Sequence, residues 1–305
     1  RAMGAVTTAV LFCLLLGPWF IRKLTELKIG QPIRTREEVH RLAELHGGKR
    51  GTPTMGGVMI LFSVALSCLL WAPLGNKFVM LALFTLLVLG GLGFADDYLK
   101  VTKKKSAGVS ARAKLAVQLA VGLTVGGCLI MDPATHDQAC SLQVPFLKDP
   151  LVDNLGWLAL AFFALVLMGS SNAVNLTDGL DGLAAGCTVI VASVLGIFSY
   201  VSGTPKLANY LFLPLTPGAQ ELAVFCGAVV GATMGFLWYN CHPAKVFMGD
   251  TGSLARRGDG DGGHLHQPGT AAGGGGGDLR GGGAIGDAAG GVVQVARQAD
   301  LRDGA

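Results

Sequence analysis

The chain has 305 residues, of which 51% are hydrophobic and only 14% are charged, and its mean hydropathy is +0.51. A soluble domain carries about 25% charged residues, so this composition excludes an ordinary water-soluble domain. The net charge of +4 at pH 7 is small, and its distribution along the chain is more informative than its total.

Apolar segments of about 17–20 residues recur along the chain, and this is the length that a helix needs to cross ~30 Å of hydrocarbon. Lipid cannot satisfy backbone polar groups, so we expect each segment to be helical. The predicted fold class is an all-α membrane protein, a polytopic helical bundle with seven transmembrane helices. The predicted spans are residues 3–21, 56–74, 78–95, 113–131, 155–172, 183–201 and 221–239.

The first apolar segment begins almost at the first residue, Arg1. We expect the chain to lack its natural N-terminus because it starts with Arg rather than Met. The segment is interpreted as a span rather than a signal peptide, since no small-residue cleavage site follows it and more spans come after it.

Basic residues alternate sharply between successive loops. The first and third loops carry eight and six Lys or Arg residues, whereas the second, fourth and sixth carry only Lys77, Lys148 and Lys206. Basic loops stay in the cytoplasm, so the first, third and fifth loops are predicted to be cytoplasmic and the N-terminus external.

Two adjacent carboxylates, Asp96 and Asp97, lie at the inner end of the third predicted span, in G-F-A-D-D-Y. Adjacent carboxylates at a membrane boundary repel each other and are costly to desolvate. Neighbours on a helix point about 100° apart, so we expect one to serve a metal and the other to act as a base. A solvated helix end is the alternative interpretation.

A second polar cluster, N-A-V-N-L-T-D-G-L-D-G, contains Asp178 and Asp181 with no Lys or Arg to neutralise them. If the segment is helical, these carboxylates share one face at i,i+3 spacing. Asn175 adds an amide oxygen. Uncompensated oxygen-rich clusters suit Mg²⁺, which binds substrate phosphates, and an acidic turn is the alternative.

A third cluster follows the last predicted span, in Y-N-C-H-P-A-K-V-F-M-G-D-T-G-S. Asp250 follows Gly249 there, and Phe247 is a loop aromatic that can stack on a base. His242 is interpreted as structural rather than as a ligand.

The fourth cluster is the basic turn G-K-R-G-T-P-T-M-G-G before the second span. Its Lys49, Arg50 and Thr54 can hold a phosphate or a nucleotide carbonyl, although no helix-opening G-K-[ST] of a Walker loop is present. All four clusters fall on predicted cytoplasmic loops, which indicates a site for a phosphorylated, metal-bound substrate that meets a lipid.

The four motifs G-K-R-G-T-P-T-M-G-G, F-A-D-D-Y-L-K, N-A-V-N-L-T-D-G-L-D-G and V-F-M-G-D-T-G-S-L-A occur in the order found in one enzyme family. From Arg1 to Ala255 the chain resembles the phospho-N-acetylmuramoyl-pentapeptide transferases, which are polyprenyl-phosphate N-acetylhexosamine-1-phosphate transferases. The first motif favours this family over related enzymes that transfer N-acetylglucosamine-1-phosphate.

The resemblance implies a Mg²⁺-dependent transfer of phospho-MurNAc-pentapeptide from UDP-MurNAc-pentapeptide to undecaprenyl phosphate. The products are lipid I and UMP, in the first membrane step of peptidoglycan synthesis. It also implies a multi-pass protein of the bacterial inner membrane with its site on the cytoplasmic face. A homodimer in membrane lipid is the family's assembly, and no nucleic-acid partner is expected.

The resemblance further implies roles for individual residues. Asp250 resembles the Mg²⁺ ligand, and Asp96 and Asp97 resemble the acidic pair, of which one deprotonates or orients the lipid phosphate. The implied catalytic residues are Asp96, Asp97 and Asp250. The implied substrate-binding residues are Lys49, Thr54, Lys114, Asn175, Asp178, Asp181, Asn240 and Phe247, with Phe247 stacking on uracil and Lys114 neutralising phosphate.

The chain changes character after Ala255. Residues 256–305 contain 17 glycines and 11 charged residues in 50 positions, with no Phe, Tyr or Trp. We interpret residues 1–255 as the transferase domain and residues 256–305 as a disordered Gly-rich tail outside the family pattern.

We also expect that tail to be translated out of frame. With wobble bases chosen freely, a one-base shift lets Asp278–Ala305 be read as an apolar span followed by a basic loop. The family has ten spans and a histidine-rich cytoplasmic motif, and His264 and His266 do not match the context of that motif.

Three other functions are alternatives. The first is a sister transferase that uses UDP-N-acetylglucosamine. The second is a transporter or channel, whose carboxylates should lie at mid-bilayer rather than at loop ends. The third is an inert truncated product of a gene for the transferase.

Overall fold

The computed structural model describes residues 1–26, 52–103, 108–142, 150–178 and 180–249, so the tail predicted for residues 256–305 lies outside the described residues. Seven longer helices lie in these ranges, together with two short helices and a 3₁₀ turn at Ala219–Glu221. The helices are α1 (Ala2–Glu26), α2 (Gly57–Trp71), α3 (Lys77–Lys103), α4 (Ala111–Met131), α5 (His136–Cys140), α6 (Leu158–Thr177), α7 (Leu183–Gly203), α8 (Pro205–Tyr210) and α9 (Leu222–Asn240).

Each of the seven predicted spans corresponds to one longer helix, which confirms the all-α polytopic prediction. Six of these helices are long and apolar enough to cross a membrane. The exception is α2, which has 15 residues rather than the predicted 56–74 and so is about 22 Å long. It ends where it does because Pro73 excludes the helical conformation at the preceding residue, and Ala72 is extended with ψ 143°.

Side-chain caps fix where α3 and α4 begin. The Asn76 carboxamide oxygen accepts hydrogen bonds from the backbone N–H groups of Phe78 and Val79, at 2.9 and 3.2 Å. The Ser110 hydroxyl accepts one from the N–H of Ala113 at 3.4 Å. Caps of this kind satisfy backbone donors that the first helical turn leaves unpaired.

Small residues bring α1 and α9 into close contact. Gly227, Gly231 and Gly235 recur every four residues along α9, and a Cβ at Gly231 would lie 2.3 Å from the Val6 carbonyl oxygen of α1. The buried Cys13 thiol of α1 donates a hydrogen bond to the Ala232 carbonyl, with Sγ–O 3.1 Å. Helices in lipid associate in this way because small residues allow backbones to approach each other.

A second close pair is formed by α4 and α6. A Cβ at Gly122 of α4 would lie only 2.6 Å from Cα of Ala164, and Gly126 approaches Phe163 in a similar way. Helix α3 contacts α4, α2 and α9 and therefore connects the two pairs.

All four tryptophans lie within about two turns of a helix end. Trp19 and Trp238 lie towards one end of the bundle, and Trp71 and Trp157 lie at the other. Trp157 and Trp238 are 85% and 74% exposed. Aromatic belts at both membrane–water boundaries have this arrangement, which supports a multi-pass membrane protein.

An ion pair joins α3 and α4 at the end that carries Trp71 and Trp157. Lys77 at the start of α3 donates a hydrogen bond to the carboxylate of Asp132, the residue that follows α4. This hydrogen bond and a second one from the N–H of Ala134 hold the pKa of Asp132 below its ordinary value.

Candidate active site

The candidate site lies where α3, α6 and α9 end and α2, α4 and α7 begin, and we call this the polar end of the bundle. Contacts between these helix ends bring them together. Asp96 near the end of α3 pairs with Lys114 of α4, and Asn240 at the end of α9 bonds to Gly182 before α7. The sequence clusters predicted to share one membrane face therefore do share one end of the bundle.

Asp96 is the most heavily paired carboxylate at the polar end. It is only 1% exposed, and its Oδ2 lies 2.6 Å from Lys100 Nζ and 2.8 Å from Lys114 Nζ. Its Oδ1 accepts a hydrogen bond of 2.6 Å from the N–H of Val109. Two ammonium groups thus converge on one buried carboxylate, and a Cβ at Gly108 would collide with that carboxylate, 2.2 Å from its Oδ1.

Asp97 is also 1% exposed but contacts a different segment. Gly249 packs against it so closely that a Cβ there would lie 2.7 Å from Asp97 Oδ2 and 2.9 Å from Thr54 Oγ1. Because α3 continues to Lys103 rather than ending at residue 95, both carboxylates lie within a helix and face different neighbours. The prediction that the pair does not share one role is therefore consistent with the structure.

Gly249 has φ +72°, a left-handed conformation that glycine adopts without strain. It directly precedes Asp250. Asp250 and Lys49 lie outside the described residues, so their predicted roles as metal ligand and substrate ligand stay predictions. Among the described residues, no three His, Cys, Asp or Glu side chains cluster as a metal site would require.

The segment that carries Phe247 is held by backbone pairing with the segment before α2. The Phe247 N–H donates to the Pro53 carbonyl and the Gly56 N–H donates to the Phe247 carbonyl, each at 2.9 Å. The Gly57 N–H donates to the Met248 carbonyl at 2.8 Å. This pairing positions Thr54 beside Gly249, and the Phe247 side chain is half-buried rather than fully exposed as predicted.

Thr54 is 1% exposed, and its hydroxyl has no hydrogen-bond partner among the residues that the structure describes. An unpaired buried hydroxyl costs about 1–3 kcal/mol, so such a group is a candidate for ligand binding.

The prediction that Asp178 and Asp181 share one helical face is wrong. Helix α6 ends at Thr177, Asp178 is its C-cap with ψ 48°, and Asp181 lies in the turn before α7. Asp181 Oδ2 instead lies 3.2 Å from His242 Nδ1 and accepts a hydrogen bond of 3.4 Å from the N–H of Ala244. The glycine-rich turn ends the helix because glycine favours non-helical backbone there.

Asn240 uses both ends of its amide on backbone groups. Its oxygen accepts from the Gly182 N–H at 3.0 Å, and its nitrogen donates to the Val246 carbonyl at 2.9 Å. It is 3% exposed, and Asn175 at the end of α6 is equally buried. In this arrangement Asn240 joins the start of α7 to the segment that carries Phe247. Its predicted contact with substrate stays a prediction.

Two contacts at the polar end were not predicted from the sequence. Lys100 was counted only as a loop charge, although its i,i+4 spacing from Asp96 on a longer α3 would have indicated the pair. His242 was interpreted as structural without a partner, and no local pattern indicates its contact with Asp181.

Comparisons with known proteins agree with this arrangement. The model of glycosyl transferase family 4 matches residues 79–256, and signature 1 of the phospho-N-acetylmuramoyl-pentapeptide-transferases matches residues 49–61. The first range contains α3 to α9, and the second contains Lys49, Thr54 and the start of α2.

Several curated relatives carry the name phospho-N-acetylmuramoyl-pentapeptide-transferase. The relative from Methylacidiphilum infernorum is 58% identical over 255 residues, which cover 84% of this chain and 70% of the relative. Those from Desulfotalea psychrophila and Syntrophus aciditrophicus are 49% and 48% identical, each over 84% of this chain and 68% of the relative. The chain therefore belongs to glycosyl transferase family 4 and, within it, to the phospho-N-acetylmuramoyl-pentapeptide-transferases.

Proposed function

We propose that this protein transfers phospho-N-acetylmuramoyl-pentapeptide from UDP to undecaprenyl phosphate. An oxygen of the acceptor phosphate forms a bond to the phosphorus that carries the sugar. The bond from that phosphorus to the bridging oxygen of the diphosphate breaks, and UMP leaves with the bridging oxygen. The lipid product is lipid I.

The observation that carries this proposal is the buried group formed by Asp96, Lys100 and Lys114. Buried ion pairs contribute little net stability, because desolvation offsets their attraction. Charged groups withdrawn from water at a membrane boundary are therefore better explained by function. Two cations and one anion leave a net positive charge, which suits a lipid phosphate arriving from the bilayer.

The two carboxylates have different roles in this proposal. Asp96 holds the ammonium groups of Lys100 and Lys114 in place, so that Lys114 can neutralise the acceptor phosphate. Asp97 faces Gly249 and Thr54 on the other side of α3, where the donor diphosphate would bind. Most of the catalytic effect then comes from positioning and electrostatics.

The residues around Asp97 fit Mg²⁺ in their chemistry. Asp97 Oδ2 and Thr54 Oγ1 both lie against Gly249 and are oxygen donors of the kind that Mg²⁺ prefers. We propose that Asp97 holds the ion together with Asp250. When bound, Mg²⁺ supplies positive charge that stabilises the diphosphate and the leaving UMP.

The nucleotide is proposed to bind along the segment that carries Phe247, whose ring stacks on uracil. Asn175, Asp178 and Asp181 lie on the neighbouring α6–α7 turn and are proposed to contact the donor. The polar end is proposed to face the cytoplasm of the bacterial inner membrane, because the basic loops adjoin it.

The test is UMP release and lipid I formation in membrane vesicles given UDP-MurNAc-pentapeptide and undecaprenyl phosphate. Asp97→Asn should reduce UMP release by at least about 10²-fold. Glu26→Gln, at the exposed end of α1, should leave it unchanged. Undiminished release by Asp97→Asn would contradict the proposed role of Asp97.

Two competing functions give different results in the same assay. A sister transferase would release UMP with UDP-N-acetylglucosamine in place of the pentapeptide donor. An inert product would release no UMP as written, but a chain carrying the shifted-frame translation after Ala255 would regain release.

A further inference from the structure

Gln118 of α4 is wholly buried within the part of the bundle that spans the membrane. Its amide nitrogen donates a hydrogen bond of 3.1 Å to the hydroxyl of Ser171 on α6. Its amide oxygen accepts one of 3.4 Å from the side chain of Asn172, which also donates to the Met168 carbonyl at 2.8 Å. A buried amide is costly without partners, and this one has partners for both its donor and its acceptor.

This contact lies one helical turn below the polar end. Gln118 follows Lys114 by four residues on α4, and Ser171 precedes Asn175 by four residues on α6. Residues four apart share a helix face, so the Gln118–Ser171 contact and the Lys114 and Asn175 side chains lie along the same interface. Lys114 reaches Asp96 from this position, with Nζ–Oδ2 2.8 Å.

The remaining contacts between α4 and α6 do not fix how far one helix slides along the other. They include Gly122 and Gly126, whose missing side chains allow the backbones to approach Ala164 and Phe163. Small residues permit close approach but provide little interlocking along the axis. Hydrogen bonds depend on direction as well as distance, so the amide of Gln118 can supply the missing constraint.

We propose that Gln118 is a positioning residue that fixes the register of α4 against α6. In doing so it holds Lys114 against Asp96 and at a constant distance from Asn175. The inference rests on the proposed function, because it assigns the register a role in placing the acceptor phosphate relative to the donor. Gln118 acts through Lys114 and does not contact substrate.

The test compares Gln118→Met, which keeps the length of the side chain but removes the amide, with Thr8→Val as a matched control. Thr8 Oγ1 donates to Ser67 Oγ at 3.3 Å, so the control also removes a hydrogen bond between two spans, but between α1 and α2. A purely structural role for Gln118 predicts that both variants behave alike.

The first measurement is chemical labelling of lysine amines in the folded full chain, followed by mass spectrometry. Lys114 is 8% exposed and should label slowly in the unaltered protein, whereas the exposed Lys23 provides an internal reference. Gln118→Met should raise the labelling rate of Lys114 at least several-fold without changing that of Lys23. Thr8→Val should change neither rate.

The second measurement is the kinetics of UMP release. Gln118→Met should lower kcat by about 10–100-fold, because displacements near 1 Å have effects of this size, while the KM for the UDP donor stays within about twofold. Ser171→Ala should lower kcat in the same direction, and the double variant should be no worse than the worse single variant, because both remove one contact.

Unchanged labelling of Lys114 in Gln118→Met would overturn the inference, and so would equal loss of kcat in Gln118→Met and Thr8→Val. The labelling result does not depend on catalysis. If the unaltered chain released no UMP, the proposed function would fail while the register inference could still be confirmed or rejected.

Discussion

Lys114 and Asp96 form a contact that is withdrawn from water, with Nζ–Oδ2 2.8 Å and the carboxylate 1% exposed. Lys23 and Glu26 form a pair at a similar distance, 2.9 Å, but both side chains are more than half exposed. The two pairs therefore separate the effect of burial from that of distance.

We expect Lys114→Met to destabilise the protein by up to about 3 kcal/mol, because it leaves part of a buried charge unpaired. Lys23→Met should change stability by less than about 1 kcal/mol. Thermal unfolding in detergent measures both. Equal effects of the two substitutions would show that the buried pair has no special energetic role.

Gly249 combines a left-handed backbone with contacts to two site residues. Gly249→Ala should lower stability by about 1–2 kcal/mol through backbone strain alone. It should also displace Asp97 and Thr54, and so reduce UMP release at least about tenfold. The control is Gly127→Ala in α4, where a Cβ would meet nothing within 4 Å. UMP release by Gly249→Ala at the level of this control would contradict the expectation.

At the scale of elements, the contact between α1 and α9 depends on glycine at one position in particular. Gly231→Ala would place a Cβ 2.3 Å from the Val6 carbonyl oxygen, and a backbone atom cannot move aside as a flexible side chain can. Overpacking of this kind typically costs about 1–3 kcal/mol. Thermal unfolding should show this loss for Gly231→Ala but not for Gly186→Ala, since Gly186 of α7 has open space around it.

At the scale of the whole molecule, the positions of Cys241 and Tyr210 give a test of orientation. Cys241 is exposed directly after α9 at the polar end, and Tyr210 is 79% exposed at the opposite end. A membrane-impermeant maleimide should label Tyr210→Cys in intact spheroplasts and Cys241 only in inverted vesicles. The reverse pattern would mean that the polar end faces outward.

The change of composition after Ala255 is also a property of the whole molecule. The family model ends its match at residue 256, close to the predicted boundary. If residues 256–305 are translated out of frame, resequencing the DNA from the codon of Leu254 onward should reveal a missing or additional base. A confirmed reading would reject the frameshift interpretation.

The amino-acid sequence by itself determined the number, places and direction of the spans. Lipid requires each apolar segment to satisfy its own backbone hydrogen bonds, so a helix follows from local composition. Their ends were predicted less well: α3 continues beyond residue 95 and α2 stops at Trp71, because caps and Pro73 act where hydropathy changes gradually. The kinds of residues in the site were likewise readable from local motifs.

Only the tertiary structure decided which of these residues meet. Asp96 faces Lys114 while its neighbour Asp97 faces Gly249, and Asp181 meets His242 rather than sharing a face with Asp178. Such pairings depend on the rotation and register of each helix against its neighbours. Those are set by contacts between distant segments, such as Gly231 with Val6, which no local pattern encodes.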